Sequence, residues 1–178
     1  TLPVETRVNE LKKYTELYSG RKLAFADLNG NLYTTDSAIL KINDREYYKK
    51  ALKGESNISD PIHSRLDGSL VIVFTTPIKN RDRIIGALSI AYPITFLSEI
   101  TDKVRLGESG SAFILDREGY TIAHRDRSLV LSRVNILKTP PDAGLKKLVE
   151  IEGKMIQGEK GAAEYRYEGI SKYIGYCP

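Results

Sequence analysis

The chain has 178 residues and a formal net charge of +4, from 27 basic and 23 acidic residues. Hydrophobic residues make up 41% and charged residues 28%, which excludes a disordered, collagenous or low-complexity chain. The longest apolar runs, Leu70–Phe74 and Ile84–Leu88, fall far short of the ~18 residues that a membrane helix requires.

The ends of the chain and its single cysteine set further limits. The chain starts at Thr1 rather than at a methionine and stops at Cys177-Pro178, which indicates a piece of a longer protein. One cysteine excludes an internal disulfide and a cysteine-based metal cluster. Lysine and arginine are spread along the whole chain between acidic residues, so we do not expect nucleic acid as a partner.

The first half predicts a helix, a hairpin, a second helix and three antiparallel strands. Apolar residues recur at helical spacing from Val4 to Leu17, and Gly20 is typical of a helix end. Asn29-Gly30 is a strong hairpin signal, and Asn43-Asp44 offers an N-cap for the second helix. The predicted elements are a helix at 4–17, strands at 23–28 and 31–35, a helix at 45–53, strands at 58–64, 70–78 and 83–92, and a connecting helix that ends at 107.

The pattern then starts again. A strand–turn–strand at 112–124 is followed by a helix at 145–156 and strands at 162–168 and 170–176. Asp27-x-x-Gly30 and Asp116-x-x-Gly119 each lie between two predicted strands, at the same place in the two halves. Each motif predicts a turn, because aspartate binds the backbone amides of a turn and glycine accepts a positive φ. This repeated order, with one strand missing from the second copy, predicts a tandem duplication.

Two such copies resemble the tandem PAS-like modules of the double Cache family of extracytoplasmic sensor domains. The resemblance implies an α+β fold with two PAS-like modules. Each module would be a five-stranded antiparallel sheet with flanking helices, after an N-terminal helix and with the second module incomplete. The stretches that carry the resemblance are Phe25–Leu32, Asp44–Gly54, Gly68–Ile78, Ile85–Ile90 and, most specifically, Leu106–His124.

The resemblance also implies a domain organisation and a location. We expect an N-terminal helix at 1–20, a membrane-distal ligand-binding module at 21–93, a connecting helix at 94–110 and a membrane-proximal module at 111–178. The family provides the extracellular or periplasmic sensors of transmembrane histidine kinases and chemoreceptors. We therefore expect a membrane-anchored parent, in the first place a histidine kinase, and a weak homodimer formed through Val4–Leu17.

Family members that bind amino acids hold them in the first module, where an arginine and two aromatic residues on the helix grip the carboxylate. Arg45, Tyr47 and Tyr48 match that helix. A guanidinium presents a planar pair of donors to a carboxylate, and phenols add hydrogen bonds and a flat wall. From the residues alone, the alternative is an exposed arginine in a charged helix beside two tyrosines that lie partly in the core.

The family residues that bind the amino group of the ligand are replaced in this chain. Leu40, Ser64 and Ala91 stand where the family has tyrosine or aspartate. They supply no carboxylate for an ammonium, and a buried unpaired ammonium is costly. We therefore predict a small organic acid as ligand, or a betaine-like molecule held in an aromatic cage of Tyr33 and the two helix tyrosines.

Three further residues complete the candidate site. Alternation along the last strand puts Ser89 on the same side as Ala91, which gives a floor of small residues. His63 stands in the loop that covers the pocket in the family, either as a pH-dependent ligand contact or as a solvated residue. Thr75 offers a hydroxyl from the fourth strand. His124, in the second copy, is expected to be a hydrogen-bonded structural residue.

No motif indicates an enzyme. The chain lacks G-x-S-x-G, G-x-x-x-x-G-K and H-E-x-x-H, and its two histidines lie in separate predicted modules. We expect no catalytic residue, no metal and no cofactor. The remaining alternative to a sensor is a PAS-like interaction module that dimerises and binds no small molecule.

Overall fold

The computed structural model describes residues 2–15, 22–139 and 144–178, which form two compact units, Thr1–Pro93 and Ile94–Pro178. No helix in these described ranges has both the length and the hydropathy needed to cross a bilayer. The helices are α1 (Val4–Thr15), α2 (Glu46–Leu52), α3 (Phe96–Thr101), α4 (Arg127–Leu131) and α5 (Lys146–Ile156). The strands are β1 (Lys22–Ala26), β2 (Asn31–Thr34), β3 (Ile39–Lys41), β4 (Asn57–Ile58), β5 (Ile62–His63), β6 (Leu70–Asn80), β7 (Arg83–Pro93), β8 (Ile114–Leu115), β9 (Thr121–Ala123), β10 (Gly161–Tyr167) and β11 (Ile170–Tyr176).

The first unit is built on one antiparallel sheet of seven strands, in the order β3-β2-β1-β7-β6-β4, with β5 also paired to β6. The prediction of five strands was wrong in two places. The predicted strand at 58–64 is two short strands, because Pro61 between them has no N–H to donate to the ladder. The short edge strand β3 was not predicted at all.

Helix α2 packs on one face of this sheet. The facing positions of β1 and β7 are small, with Ala26 and Ala87 at most 1% exposed, so the helix approaches closely and buries Ala51 completely. Asn57 in β4 connects the sheet to the helix by hydrogen bonds: its side-chain nitrogen donates to the carbonyls of Tyr47 (3.0 Å) and Glu55 (3.2 Å).

Helix α1 contacts β1 and β2 in the same unit. Val8 is buried, and the Arg7 guanidinium lies 4.5 Å from the centre of the Phe25 ring, which stacks on Tyr33 at 5.0 Å. Phe25 alternates with the small residues beneath α2, so α1 lies on the opposite face of the sheet. The predicted end of this helix, from Leu17 to Gly20, lies outside the described residues.

The turn between β1 and β2 has the predicted form. The Asp27 carboxylate accepts hydrogen bonds from the backbone N–H groups of Asn29 and Asn31, both at 2.9 Å. Gly30 has a φ of +75°, and a Cβ there would lie 2.7 Å from the Cβ of Asn43. Glycine is therefore required twice over, by backbone conformation and by space.

The start of α2 differs from the prediction. Arg45 is the N-cap residue, and no side chain caps the helix. Asp44 is not available as a cap, because the Arg65 guanidinium binds both of its carboxylate oxygens. A long-range ion pair has replaced the expected local hydrogen bond.

In the second unit the four predicted strands are present, but they form two separate hairpins rather than one incomplete sheet: β8 pairs with β9 and β10 with β11. In the first unit, β7 joins the first hairpin to the later strands because it pairs with both β1 and β6. No counterpart of β7 follows β11 within 144–178, so nothing there joins the two hairpins of the second unit. The Asp116 turn is formed as predicted, with its carboxylate accepting from the N–H groups of Glu118 and Tyr120.

Helix α5 of the second unit carries a buried carboxyl group. Glu152 is 6% exposed, and burial raises its pKa from 4.5 to about 7. Burial also raises the pKa of Tyr165 on β10, and the negative charge of Glu152 raises it further.

Candidate ligand-binding site

A cavity of about 230 Å³ lies in the first unit, between α2, the sheet and the loop at 64–69. Its floor is formed by small residues of β1 and β7, namely Ala24, Ser89 and Ala91. Apolar side chains of β2, β3 and β6 form most of the remaining wall, including Leu40. The cavity is therefore compact and mainly apolar, as small-molecule sites usually are.

Arg45 is the arginine of this cavity that forms no ion pair among the described residues. It lies at the start of α2, is half-buried, and donates from Nη2 to the backbone carbonyl of His63 at 3.0 Å. Among the described residues, no carboxylate lies within ion-pair distance of its guanidinium. Four of its five N–H donors thus have no acceptor among the described residues.

Tyr47 lines the same cavity, two residues further along the helix. Its side chain is buried, with 7% of the residue exposed, and burial raises the pKa of its phenol although Arg45 and Arg65 act in the opposite direction. The phenol is therefore protonated at neutral pH and can donate a hydrogen bond. The described residues provide no hydrogen-bond partner for it.

The structure does not bring the other two tyrosines to the cavity. Tyr48 is 2% exposed and donates to the backbone carbonyl of Asp27 at 2.7 Å. Tyr33 donates to the Asp27 carboxylate at 3.2 Å and stacks on Phe25. Neighbouring residues point about 100° apart on a helix and to opposite faces on a strand, so Thr34 lines the cavity where Tyr33 was expected. The expected cage of three tyrosines is not formed.

The remaining predicted residues lie at or next to the cavity. His63 and Ser89 line it, and the His63 ring nitrogen Nδ1 lies 3.0 Å from the carbonyl of Gly68. Thr75 on β6 is paired directly with Ser89 on β7, with the two hydroxyl oxygens 3.3 Å apart, and does not line the cavity. In the second unit, His124 accepts a hydrogen bond from the N–H of Asp126 at 2.8 Å, as expected of a structural residue.

The loop at 64–69 supplies lining residues that the sequence did not reveal. Arg65 donates to both carboxylate oxygens of Asp44, at 2.9 and 2.6 Å, and to the carbonyl of Lys41. Asp67 also lines the cavity and accepts from the N–H and hydroxyl of Ser69, at 3.1 and 2.7 Å. The only sequence signal was the Asp67-Gly68 turn, which says nothing about what lies opposite the loop.

Comparison with known proteins places the chain in a family. Residues 3–178 match the Cache domain. The chain therefore belongs to the Cache domain family, whose members are non-catalytic, ligand-binding sensor domains in signal transduction.

Individual relatives are distant. The methyl-accepting chemotaxis protein McpA of Bacillus subtilis is 25% identical over 135 residues, which is 75% of this chain and 18% of McpA. The chain thus spans less than a fifth of the length of the curated relatives that it matches.

Two solved domains share the fold at low identity. The ligand-binding domain of the Campylobacter jejuni chemoreceptor Tlp3, in complex with 4-methylisoleucine, is 16% identical with a TM-score of 0.70, over 97% of this chain and 68% of that one. An extracellular domain assigned to a histidine kinase is 12% identical with a TM-score of 0.66, over 98% of this chain and 76% of that one.

Proposed function

We propose that the chain is the extracytoplasmic sensor domain of a membrane-anchored signalling receptor and binds a small carboxylate in the cavity of the first unit. The observation that carries this proposal is Arg45, a half-buried guanidinium in an apolar wall with no carboxylate partner among the described residues. An arginine in such a place binds a planar anion with strong, charge-assisted hydrogen bonds. The protonated Tyr47 phenol supplies a further donor beside it.

The cavity volume favours a compact ligand. Drug-sized ligands occupy pockets of about 300–1,000 Å³, and this cavity measures about 230 Å³. A short carboxylic acid meets both the volume and the charge. A betaine-like ligand would place its quaternary ammonium against Tyr47 alone, since Tyr33 and Tyr48 lie elsewhere, so we place short acids first.

An ordinary amino acid would need an acceptor for its ammonium group. Leu40 and Ala91 offer none, and Ser64 offers only a hydroxyl, so we propose that short carboxylates bind better than proteinogenic amino acids. Solved structures of the Tlp3 domain contain isoleucine or valine. Asp67 also lines the cavity. If its carboxylate accepted hydrogen bonds from the ammonium group of an amino acid, this part of the proposal would be wrong.

The parent receptor is proposed to be a histidine kinase or a chemoreceptor. The extracellular domain assigned to a histidine kinase supports the first class, and the similarity to McpA and Tlp3 supports the second. In either class, ligand binding can change the signalling state of the receptor only if two conformations of the domain bind the ligand with different affinity.

A ligand panel tests the proposal. Thermal unfolding of the chain would be measured with acetate, propionate, isovalerate, lactate, glycine betaine, L-valine and L-isoleucine, followed by titration calorimetry with those that stabilise it. We expect short acids to raise the melting temperature most. A rise with the amino acids alone would contradict the ligand class, and no rise with any compound would favour an interaction module without a ligand.

A further inference from the structure

We propose that Arg65 is a positioning residue that keeps Arg45 available for a ligand carboxylate by holding Asp44. This inference rests on the proposed function of the cavity. It assigns a role to an ion pair that does not include the ligand-binding arginine itself.

The contacts of Arg65 link two separate segments at the cavity. Arg65 lies on the loop at 64–69, whereas Asp44 and Lys41 lie just before α2. The guanidinium donates to Asp44 Oδ1 at 2.9 Å, to Asp44 Oδ2 at 2.6 Å, and to the carbonyl of Lys41. Both oxygens of Asp44 are therefore engaged by one partner in the paired geometry that suits arginine best.

Asp44 is also the nearest rival for Arg45. The two residues are neighbours in the sequence, and the charges of Arg45, Arg65 and Asp44 all act on the Tyr47 phenol in the cavity wall. Arg65 and Arg45 both lower the pKa of the Asp44 carboxyl, Arg65 through a hydrogen bond and its charge and Arg45 through its charge alone. Without Arg65, the remaining positive charge that acts on Asp44 would be that of Arg45. A ligand carboxylate would then compete with a carboxylate of the protein for the same donors.

The present arrangement avoids this competition. Arg45 donates one hydrogen bond to a neutral carbonyl, that of His63, and forms no ion pair among the described residues. Arg65 is compensated by Asp44, so it adds little net positive charge to the wall. The outcome is a cavity in which one of the two lining arginines, Arg45, is left for a ligand carboxylate.

Three variants separate this role from a direct contact between Arg65 and the ligand. The variants are Arg65→Gln, Asp44→Asn and the double variant, each titrated calorimetrically with the short acid of the panel that binds the wild-type chain most tightly. We expect Arg65→Gln to weaken binding by about two- to fivefold, the upper part of the range for an exposed competing ion pair. Asp44→Asn should tighten binding, since it releases Arg65 as a second cation.

The double variant decides the question. With Asp44 neutral there is no rival, so binding should recover to within about twofold of the wild type although Arg65 is still missing. A double variant as weak as Arg65→Gln would overturn the inference, because Arg65 would then act directly on the ligand or through the loop. Unchanged binding in Arg65→Gln would overturn it as well.

Controls keep this result apart from the wider proposal. Glu46→Gln breaks an exposed ion pair with Lys49 on the same helix, 2.6 Å long, and should leave binding unchanged. The melting temperature of each variant without ligand reports whether the fold is retained. If no acid of the panel binds the wild-type chain, the proposed function fails. If an acid binds but the Asp44→Asn substitution does not restore the affinity of Arg65→Gln, only the role of Arg65 is refuted.

Discussion

Arg45 and Tyr47 present two kinds of donor to one cavity, a permanent charge and a neutral phenol. Replacing Arg45 by alanine should cost about 2–5 kcal/mol of binding free energy, as for truncation of one partner in a buried charge pair. Stability should change little, because Arg45 is half-buried and makes one hydrogen bond to a loop carbonyl. Titration calorimetry with the best-binding acid measures the loss, and Lys50→Ala on the exposed side of α2 is the control. Unchanged affinity would mean that Arg45 is an ordinary surface residue.

Tyr47 and its neighbour Tyr48 should respond oppositely to the same substitution. Tyr47→Phe removes a donor that has no described protein partner, so affinity should fall by about 1 kcal/mol while stability is retained. Tyr48→Phe removes the bond to the carbonyl of Asp27 and should lower stability by about 1 kcal/mol without affecting binding. Urea unfolding and calorimetry on both variants test this, and an equal loss of affinity in both would show that the tyrosines act together.

Glu152 predicts a pH dependence of stability in the second unit. Its pKa is about 7 in the folded chain against an ordinary 4.5, so between these values the folded chain binds a proton that the unfolded chain has lost. Stability should therefore fall as pH rises from 4.5 to 7, by about 3 kcal/mol from this one group. Glu152→Gln should remove this fall in urea unfolding curves at pH 5 and pH 8. Glu150→Gln, at an exposed position on the same helix, should keep it, and a parallel loss in both variants would argue against a buried carboxyl.

Among the elements of the first unit, strand β7 depends on one glycine. A Cβ at Gly86 would lie 2.3 Å from the carbonyl oxygen of Ala26 in β1, a distance that real Cβ atoms do not show. Gly86→Ala should therefore push β1 and β7 apart and cost more than about 2 kcal/mol of unfolding free energy. Gly68→Ala is the comparison, since its φ is +72° with nothing within 4 Å, and strain alone should cost about 1 kcal/mol. Equal losses in urea unfolding would contradict this account.

Local signals were sufficient for most elements of the fold. The hairpin at Asp27, the long strands β6 and β7, and helix α5 all follow from turn residues and apolar periodicity. The sequence did not predict β3, which has only three residues, or α4, a five-residue helix whose start depends on the Asp126 cap. Such short elements carry too few residues for a period to be visible.

The site was predictable only in part. The assignment of Arg45 and Tyr47 to the site came from the resemblance to the family, whereas the shared face of Ser89 and Ala91 follows from the alternation of side chains along a strand. The partner of Asp44 follows from neither, because Arg65 is far away in the sequence and meets it only once the sheet has formed. The prediction of a tyrosine cage was wrong because the side chains of Tyr33 and Tyr48 point away from the cavity and bind Asp27.

For the molecule as a whole, helix α1 is the element through which we propose self-association. Val8 already packs within its own unit, whereas Leu2 and Tyr14 remain 62% and 47% exposed. These few apolar groups should support only a weak dimer, seen as a monomer–dimer mixture whose balance changes with ligand. Light scattering over a range of concentrations, with and without the best-binding acid, measures it. A strict monomer in a version with a longer N-terminal helix would count against a role for α1.

The hydrogen bond from the Asn57 side chain to helix α2 affects how the domain should be produced. Asn57-Ile58-Ser59 is an acceptor sequence for N-linked glycans, and the side-chain nitrogen that a glycan would occupy already donates to two carbonyls. A sugar attached there leaves that nitrogen with one hydrogen for two acceptors, and places a bulky polar group where α2 meets the sheet. Eukaryotic secretory cells add such glycans to chains that have not yet folded. A bacterial host, which lacks that step in ordinary expression strains, is therefore the suitable source of correctly folded domain.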